Sequence, residues 1–399
     1  MTDALYRDTL SFTTKLGQAL ARYGAPAHRI EDVLGLLTQD LGVDGIFSAT
    51  PSILLMEFRG AEKSEVRMER VHANEIDLTR LRQLDELFNQ VAEKSIHPAD
   101  GLKRLEEIVD APPSFGPSLD VVAYALTSAA ATPLFGGGIT DMVLGALAGL
   151  TVAIVARIAP ERLLVPLGGF SSSLMVVLIA PLIGQANVDA AILGGIIVLV
   201  PGFTLTLGVS ELVTHNITAG VSRLGAALVT SLSLSFGVLV GTATGGQLLG
   251  VSALTPGPAP PVWLNWMLVP VAVITINILF RAPKGQWGWI FLTSSLTFST
   301  LELSNHFLPP PLAVFMGGLT LGIASNIYAR TKNLPAAIIR MPGLLFLVPG
   351  SLSFLSIQAV MSGQSSTATV TMGQLTLVAI SLVMGMVVAG SVVPPRKAL

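Results

Sequence analysis

Leu199-Val200-Pro201-Gly202 returns 148 residues later as Leu347-Val348-Pro349-Gly350. Each copy lies inside an apolar stretch, residues 188–214 and 335–361, that is longer than the roughly 20 residues one bilayer crossing needs. Proline removes a backbone donor and glycine relaxes the following turn, so both stretches are expected to be broken helices. At the same offset, residues 139–159 overlie 287–307, and residues 163–183 overlie 312–328. Adding residues 119–135, 219–243, 263–280 and 369–393 gives ten candidate spans. The predicted fold is therefore an α-helical polytopic membrane protein, with ten transmembrane helices arranged as two five-helix repeats. Five is odd, so the second repeat enters from the opposite side and the repeats are inverted.

Composition supports the membrane class. Of 399 residues, 51% are hydrophobic and only 12% are charged, against about 25% in soluble domains. Mean hydropathy is +0.69. The absence of cysteine excludes disulfide frameworks, zinc ribbons and thiol catalysis. A net charge of −2 gives no basic field for nucleic acid. The charges are segregated: residues 1–117 hold 13 of the 23 Lys and Arg and 19 of the 25 Asp and Glu. The expected organisation is a small cytoplasmic α/β domain (1–111), a proline-rich linker (112–118), a first membrane repeat (119–245), an extracytoplasmic connection (246–262) and a second repeat (263–399).

The ten remaining cations test the span count. Arg157, Arg162, Arg223, Arg281, Lys284, Arg330, Lys332, Arg340, Arg396 and Lys397 all fall at one side of a ten-span layout. The positive-inside rule then places both termini in the cytoplasm and the protein in the cell (inner) membrane. Met1–Tyr23 carries five charged residues and no continuous apolar run, so no signal peptide is expected there.

Within residues 1–110, apolar periodicity predicts helices from Leu5 to Tyr23, after Pro26 to Leu41, from Leu78 to Val91 and around Leu102–Ile108. Residues 46–58 and 64–71 read as two strands. No phosphate loop, nucleophile elbow or paired-histidine motif occurs, and His28, His72 and His97 stand apart, as surface or capping residues do. Arg29 and Glu31 either pair on the helix surface or face a ligand.

Interrupted helices at corresponding positions of two repeats point to a substrate site. The candidate substrate residues are Pro201, Gly202, Thr204, Thr206, Pro349, Gly350, Ser351 and Ser353, with Arg340 at a second break and Asn277 deep in its span. An acid inside a span is a functional candidate because its burial is costly, which singles out Asp141 and Glu211 as proton-coupling residues. Asp120, Glu161, Asp189 and Glu302 fall nearer span ends. Phe135-Gly136-Gly137-Gly138 follows no strand and reads as a turn. Gly145/Gly149, Gly237/Gly241 and Gly318/Gly322 have the spacing of close helix contacts.

Gly17-x-x-Leu20-x-x-x-Gly24-Ala25-x-x-x-Arg29-Ile30-Glu31 resembles the opening motif of the threonine/serine exporter family, which includes fungal pheromone-regulated membrane proteins. The similarity runs on through Phe135-Gly136-Gly137-Gly138-x-x-Asp141, Val200-Pro201-Gly202, Glu211, Arg223, Arg340-x-Pro342 and Val348-Pro349-Gly350. Glu211 stands where the family pattern has aspartate, and the second half matches less closely. The resemblance implies a cytoplasmic domain before ten spans, and proton-driven export of threonine, serine or similar small amino acids. The expected function is thus a secondary active exporter, not an enzyme, working by alternating access with no cofactor or metal. Its partners would be a small amino acid, protons and the bilayer, with no nucleic acid; a homo-oligomer is compatible with this. The competing readings are an exporter of another small polar metabolite, a channel of the same fold and a membrane-embedded enzyme or sensor. The N-terminal domain would serve as a regulator.

Overall fold

The computed structural model describes residues 3–59, 64–71, 76–249, 260–348 and 350–395. The N-terminal unit starts with α1 (Asp3–Arg22) and α2 (Ala27–Asp40), which bury Leu10, Phe12, Leu16, Leu20, Ile30, Leu34 and Leu37. Gly24, at φ +94°, makes the left-handed turn between them. A methyl group on Gly17 would lie 2.6 Å from Leu54 Cδ2 and 2.9 Å from Leu34 Cδ1, so this glycine lets α1 approach α2 and the sheet.

The sheet is an antiparallel meander of β1 (Asp44–Ala49), β2 (Ile53–Arg59) and β3 (Ser64–Arg70). The single strand expected over residues 46–58 is in fact a hairpin. Pro51 has no amide donor for a ladder. At the turn, Thr50 N–H donates to Ile53 O (2.8 Å), and Ile53 N–H returns to Thr50 Oγ1 (3.0 Å). Leu54, Met56 and Phe58 point inward, while Ile46, Leu55, Val66 and Met68 lie on the exposed face. Two further helices, α3 (Leu78–Ala92) and α4 (Pro98–Asp110), complete the unit. His97 caps α4 by accepting the Ala99 amide on Nδ1 (3.3 Å). His72 lies outside the described residues.

Twelve helices follow among the described residues. They are α5 (Pro117–Ala131), α6 (Ile139–Ile158), α7 (Leu164–Ile183), α8 (Val188–Ile196), α9 (Gly202–Val213) and α10 (Ile217–Leu249), then α11 (Val262–Leu279), α12 (Trp287–Asn305), α13 (Pro310–Lys332), α14 (Ala337–Leu344), α15 (Gly350–Met361) and α16 (Ser365–Val392). The chain is thus a helical membrane protein. Six helical segments are long and apolar enough to cross a bilayer, or seven if the pair 188–199 and 202–213, bent by 57°, makes one crossing. The expected ten crossings go beyond what length and apolarity give. Shorter apolar helices cover 263–279 and 350–361, and α12 carries the polar residues Thr293, Ser294 and Thr297 on its buried side.

Packing in the two halves runs in parallel. α7 pairs with α10 as α13 pairs with α16. α6 packs on α7 as α12 packs on α13, and α9 lies along α10 as α15 lies along α16. The halves also cross, α9 touching α16 and α10 touching α15. Glycines at four-residue spacing set these distances. A methyl on Gly237 would strike the Pro166 carbonyl oxygen and lie 3.0 Å from Phe170 N. Gly241 faces Ser173 and Phe170, and Gly318 and Gly322 face Leu382, Met386 and Ala389. Gly136, at φ +84°, forms the turn before α6.

The N-terminal unit docks through helix ends. Leu78 N–H donates to Phe280 O (3.0 Å), and Thr79 N–H (3.1 Å) and hydroxyl (2.7 Å) both donate to Arg281 O. The unsatisfied amides that begin α3 thereby meet the unsatisfied carbonyls that end α11. Asp77, capping α3 at Arg80 N–H (2.9 Å), lies 3.8 Å from the Arg281 guanidinium. The unit's apolar core runs on into Ala219, Val273, Ile290, Tyr328 and Ile338.

Gly237→Ala places a methyl against backbone that cannot rotate away. A loss of about 1–3 kcal/mol is expected, read as a lower thermal unfolding midpoint in detergent. An unchanged midpoint would mean that α7 and α10 separate freely.

Candidate functional site

The two breaks anticipated from sequence meet each other. A methyl on Gly202 would overlap Val348 Cγ1 and lie 3.0 Å from Gly350 Cα. One on Gly350 would lie 2.9 Å from Val200 Cγ1 and 3.0 Å from Gly202 Cα. Both glycines are buried, and only glycine permits this approach of backbone to backbone. Pro201 precedes α9 with φ −79° and ψ 38°, outside helical geometry. Pro349 lies outside the described residues.

The hydroxyls after each break turn first to their own helix. Thr206 donates to Gly202 O (3.1 Å) and Ser353 to Gly350 O (2.6 Å). Ser353 also meets Ser231 Oγ of α10 at 3.4 Å, a polar contact across the halves. Thr204 and Ser351 are half-buried beside them.

Arg340 on α14 donates from Nη2 to Asn326 Oδ1 (2.9 Å) and from Nε to Ser325 Oγ (3.3 Å), both on α13. Asn326 in turn donates to Val393 O (2.7 Å) at the end of α16. Among the described residues Arg340 forms no ion pair with a carboxylate, so this partly buried cation is held by neutral groups. Asn277 on α11 is fully buried, and its Oδ1 has no hydrogen-bond partner among the described residues. It does not join the Arg340 group. Ser294 and Thr297 on α12 are likewise buried with hydroxyls that have no partner.

The two candidate acids sit apart, at opposite ends of the α8–α9 pair. Asp141 is buried and accepts Gly138 N–H on Oδ2 (2.7 Å) and Asn187 N–H on Oδ1 (2.9 Å). It therefore joins the starts of α6 and α8. Glu211, on α9, is also buried. Both of its oxygens accept Arg223 Nε, at 3.0 and 2.9 Å, and Oε1 also accepts Ala27 N–H at 3.1 Å. Ala27 is the first residue of α2, so a helix N-terminus from the N-terminal unit points at a carboxylate of the membrane part. The left-handed turn at Gly24 sets that direction.

His28, next along α2, is largely buried. Burial, reinforced by the guanidinium groups of Arg29, Arg340 and Arg223, lowers its pKa from 6.5 to about 4. Its Nδ1 has no hydrogen-bond partner among the described residues. Arg29 approaches Asp32 at 3.9 Å, and Glu31 accepts Ala49 N–H at 2.7 Å, tying α2 to β1. Burial raises the Glu31 pKa, and that hydrogen bond opposes the rise.

Reasoning from sequence did not select Ser325, Asn326 or Ala27, and it read His28 as a surface or capping residue, whereas His28 is largely buried. Ser325 and Asn326 are adjacent polar residues in an otherwise apolar span, a signal that was available. Nothing local marks Ala27, because its partner comes from an element 184 residues away. No group of three or more metal-ligating side chains occurs among the described residues.

Several apolar helices long enough to cross a bilayer, one bent pair among them and a small α/β unit ahead of them, define a multi-pass helical membrane protein. The chain belongs to the threonine/serine exporter family: the family's ThrE model matches residues 11–245, and a second, described as threonine/serine exporter, ThrE, matches residues 265–392. Its relatives include an uncharacterized protein of Schizosaccharomyces pombe, 28% identical over 88% of this chain and 48% of its own length. Another is pheromone-regulated membrane protein 10 of Saccharomyces cerevisiae, 25% identical over 90% of this chain and 48% of its own length. That protein's counterpart in Yarrowia lipolytica is 26% identical over 86% of this chain and 30% of its own length. The chain thus spans less than half the length of these relatives. No solved structure matches it.

Removing one partner of the buried pair should cost more than removing both. Arg223→Ala leaves the Glu211 charge with a single donor, and a loss of about 3 kcal/mol is expected. Arg223→Gln combined with Glu211→Gln should recover part of it in thermal unfolding. Equal losses in the two variants would show that the pair carries no special cost.

His28 contributes a pH dependence of fixed sign. Below pH 6.5 the unfolded chain takes up a proton that the folded chain refuses until about pH 4. Stability therefore falls as pH drops through this window, by about 3 kcal/mol in full. His28→Gln should flatten the midpoint-against-pH curve between pH 6.5 and 4, and a curve parallel to wild type would refute the assignment.

Proposed function

We propose that the protein is a secondary active exporter of small, threonine- or serine-like amino acids, coupled to the proton gradient. It works by alternating access between two inverted five-helix repeats spanning the membrane ten times. The observation that carries this reading is the Gly202–Gly350 contact. Two helix breaks at corresponding positions pack on each other, where a small rotation of one half against the other would open one side or its opposite. The repeats are α5–α10 and α11–α16, with α8–α9 and α14–α15 each counted as one interrupted span. In the ten-span layout read from the sequence, the cations of residues 118–399 fall on one side, and Arg281 on that side meets the N-terminal unit. That supports a cytoplasmic position for residues 1–111 and both termini, and residence in the cell (inner) membrane.

A zwitterionic amino acid needs donors for its carboxylate and acceptors for its ammonium group. Arg340 and the amides at the start of α9 and α15 suit the carboxylate, and carbonyls freed at the breaks suit the ammonium. Thr204, Thr206, Ser351 and Ser353 are placed to read a hydroxyl side chain. Proton uptake at Glu211 would weaken its tie to Arg223 and to Ala27 together, which joins protonation to release of the N-terminal unit. Asp141, holding two helix starts, is the second candidate proton carrier. The Ala27–Glu211 bond also favours a regulatory role for that unit.

The test is efflux of radiolabelled threonine and serine from proteoliposomes, with and without an imposed pH gradient. Saturable, gradient-accelerated efflux is expected. Gly202→Val should reduce it at least tenfold, and Glu211→Gln should remove gradient driving while exchange persists. Flux that never saturates would identify a channel. Gradient driving that survives in both Glu211→Gln and Asp141→Asn would remove both from proton coupling.

A further inference from the structure

A cavity of about 270 Å³ lies where three segments join, and the transport reading makes no use of it. Its walls include Thr79 and Arg82 of α3, Ser114 and Phe115 ahead of α5, and Lys284 and Gln286 between α11 and α12. It has two cations in its lining and no acid. Arg82 Nη1 lies 3.2 Å from Glu86, but Arg82 Nε is buried and has no hydrogen-bond partner among the described residues. Lys284 Nζ sits 5.9 Å from the centre of the Phe115 ring. A buried N–H without an acceptor is costly, and here it borders a space with a second positive charge.

In the ten-span layout proposed above, where α12 is a crossing, Trp287 sets the depth of this cavity. Trp287 begins α12, donates its indole N–H to Ala282 O (3.1 Å) and packs against Phe115 with ring centres 6.1 Å apart. A tryptophan at the first turn of an apolar helix belongs at the headgroup level of a bilayer. Tyr328 donates to Gln286 Oε1 (2.8 Å), which fixes that side chain at the rim while its amide N–H groups remain donors. The volume falls below the ~300–1,000 Å³ of sites for drug-sized ligands, so the occupant is small.

We propose that this cavity binds an anionic phosphate group, supplied by a phospholipid headgroup or by free phosphate. Arg82 Nε and Lys284 Nζ are its charged donors, with Ser114 and Gln286 adding neutral ones. Thr79 both lines the cavity and bonds Arg281 O, so an occupant there tightens the seam between α3 and α11. The bound phosphate thereby staples the N-terminal unit to the membrane part. The site stands on its own residues and does not depend on which solute is carried.

The experiment measures the unfolding midpoint of the purified full chain in nanodiscs. One series replaces phosphatidylcholine stepwise with phosphatidylglycerol; another keeps phosphatidylcholine and adds inorganic phosphate against chloride at equal ionic strength. A saturating rise in either series is expected for wild type, and its loss in Arg82→Gln and in Lys284→Gln. Arg330→Gln, which removes an exposed cation bonded to Pro394 O, should keep the rise. If Arg82→Gln does not fold, Lys284→Gln alone decides. A rise only with phosphatidylglycerol assigns the lipid headgroup, and a rise with inorganic phosphate assigns the free anion. No rise in wild type, or an equal rise in the Lys284 variant, overturns the proposal.

Discussion

A helix that ends inside a membrane protein leaves backbone amides or carbonyls that lipid cannot satisfy, and much of this architecture answers that constraint. The amides opening α3 take the carbonyls closing α11. The amide opening α2 takes Glu211, and Asp141 takes the Gly138 amide beside α6 and the Asn187 amide beside α8. At the Pro201–Gly202 break, Gly202 N–H turns back to Val200 O (2.8 Å), and the backbone there packs closely on Gly350. Asp141 and Glu211, acids whose burial is costly, are thus acceptors for helix starts.

The same constraint links the N-terminal unit to the membrane part. Its docking uses two helix N-termini, one on a carboxylate and one on carbonyls, with an apolar core continuing across the seam. Arg223 and Ala27 share one carboxylate, so any event that alters the Glu211 charge is felt by both parts. The chain belongs to the threonine/serine exporter family, and under the transport function proposed above this shared acid is the route by which a change in α9 would reach α2.

Periodicity made most of the helices legible. The apolar stretches with interrupting prolines gave the helix series of the membrane part, and the amphipathic repeats gave α1 to α4. The hairpin of β1 and β2 is hidden in the sequence because β-forming residues continue on both sides of Pro51, and only pairing shows that the chain reverses there. The site was half legible. Pro201 and Gly202 stand out by residue type, and so does Gly350. Ser325 and Asn326 stand out as a polar pair in an apolar span, whereas Ala27 acts through a partner remote in sequence that its side-chain type does not reveal.

The sequence by itself determined the class. Apolar content, the segregation of charge and the duplicated Pro-Gly signal depend only on residue type and spacing, because solvation and backbone freedom are local properties. What tertiary structure alone decided is who meets whom. It set Gly202 against Gly350, closed Glu211 with Arg223 and Ala27, and left Arg340 among neutral partners. Those contacts depend on the crossing and depth of helices. These follow from packing summed over the whole bundle, and no single segment encodes them.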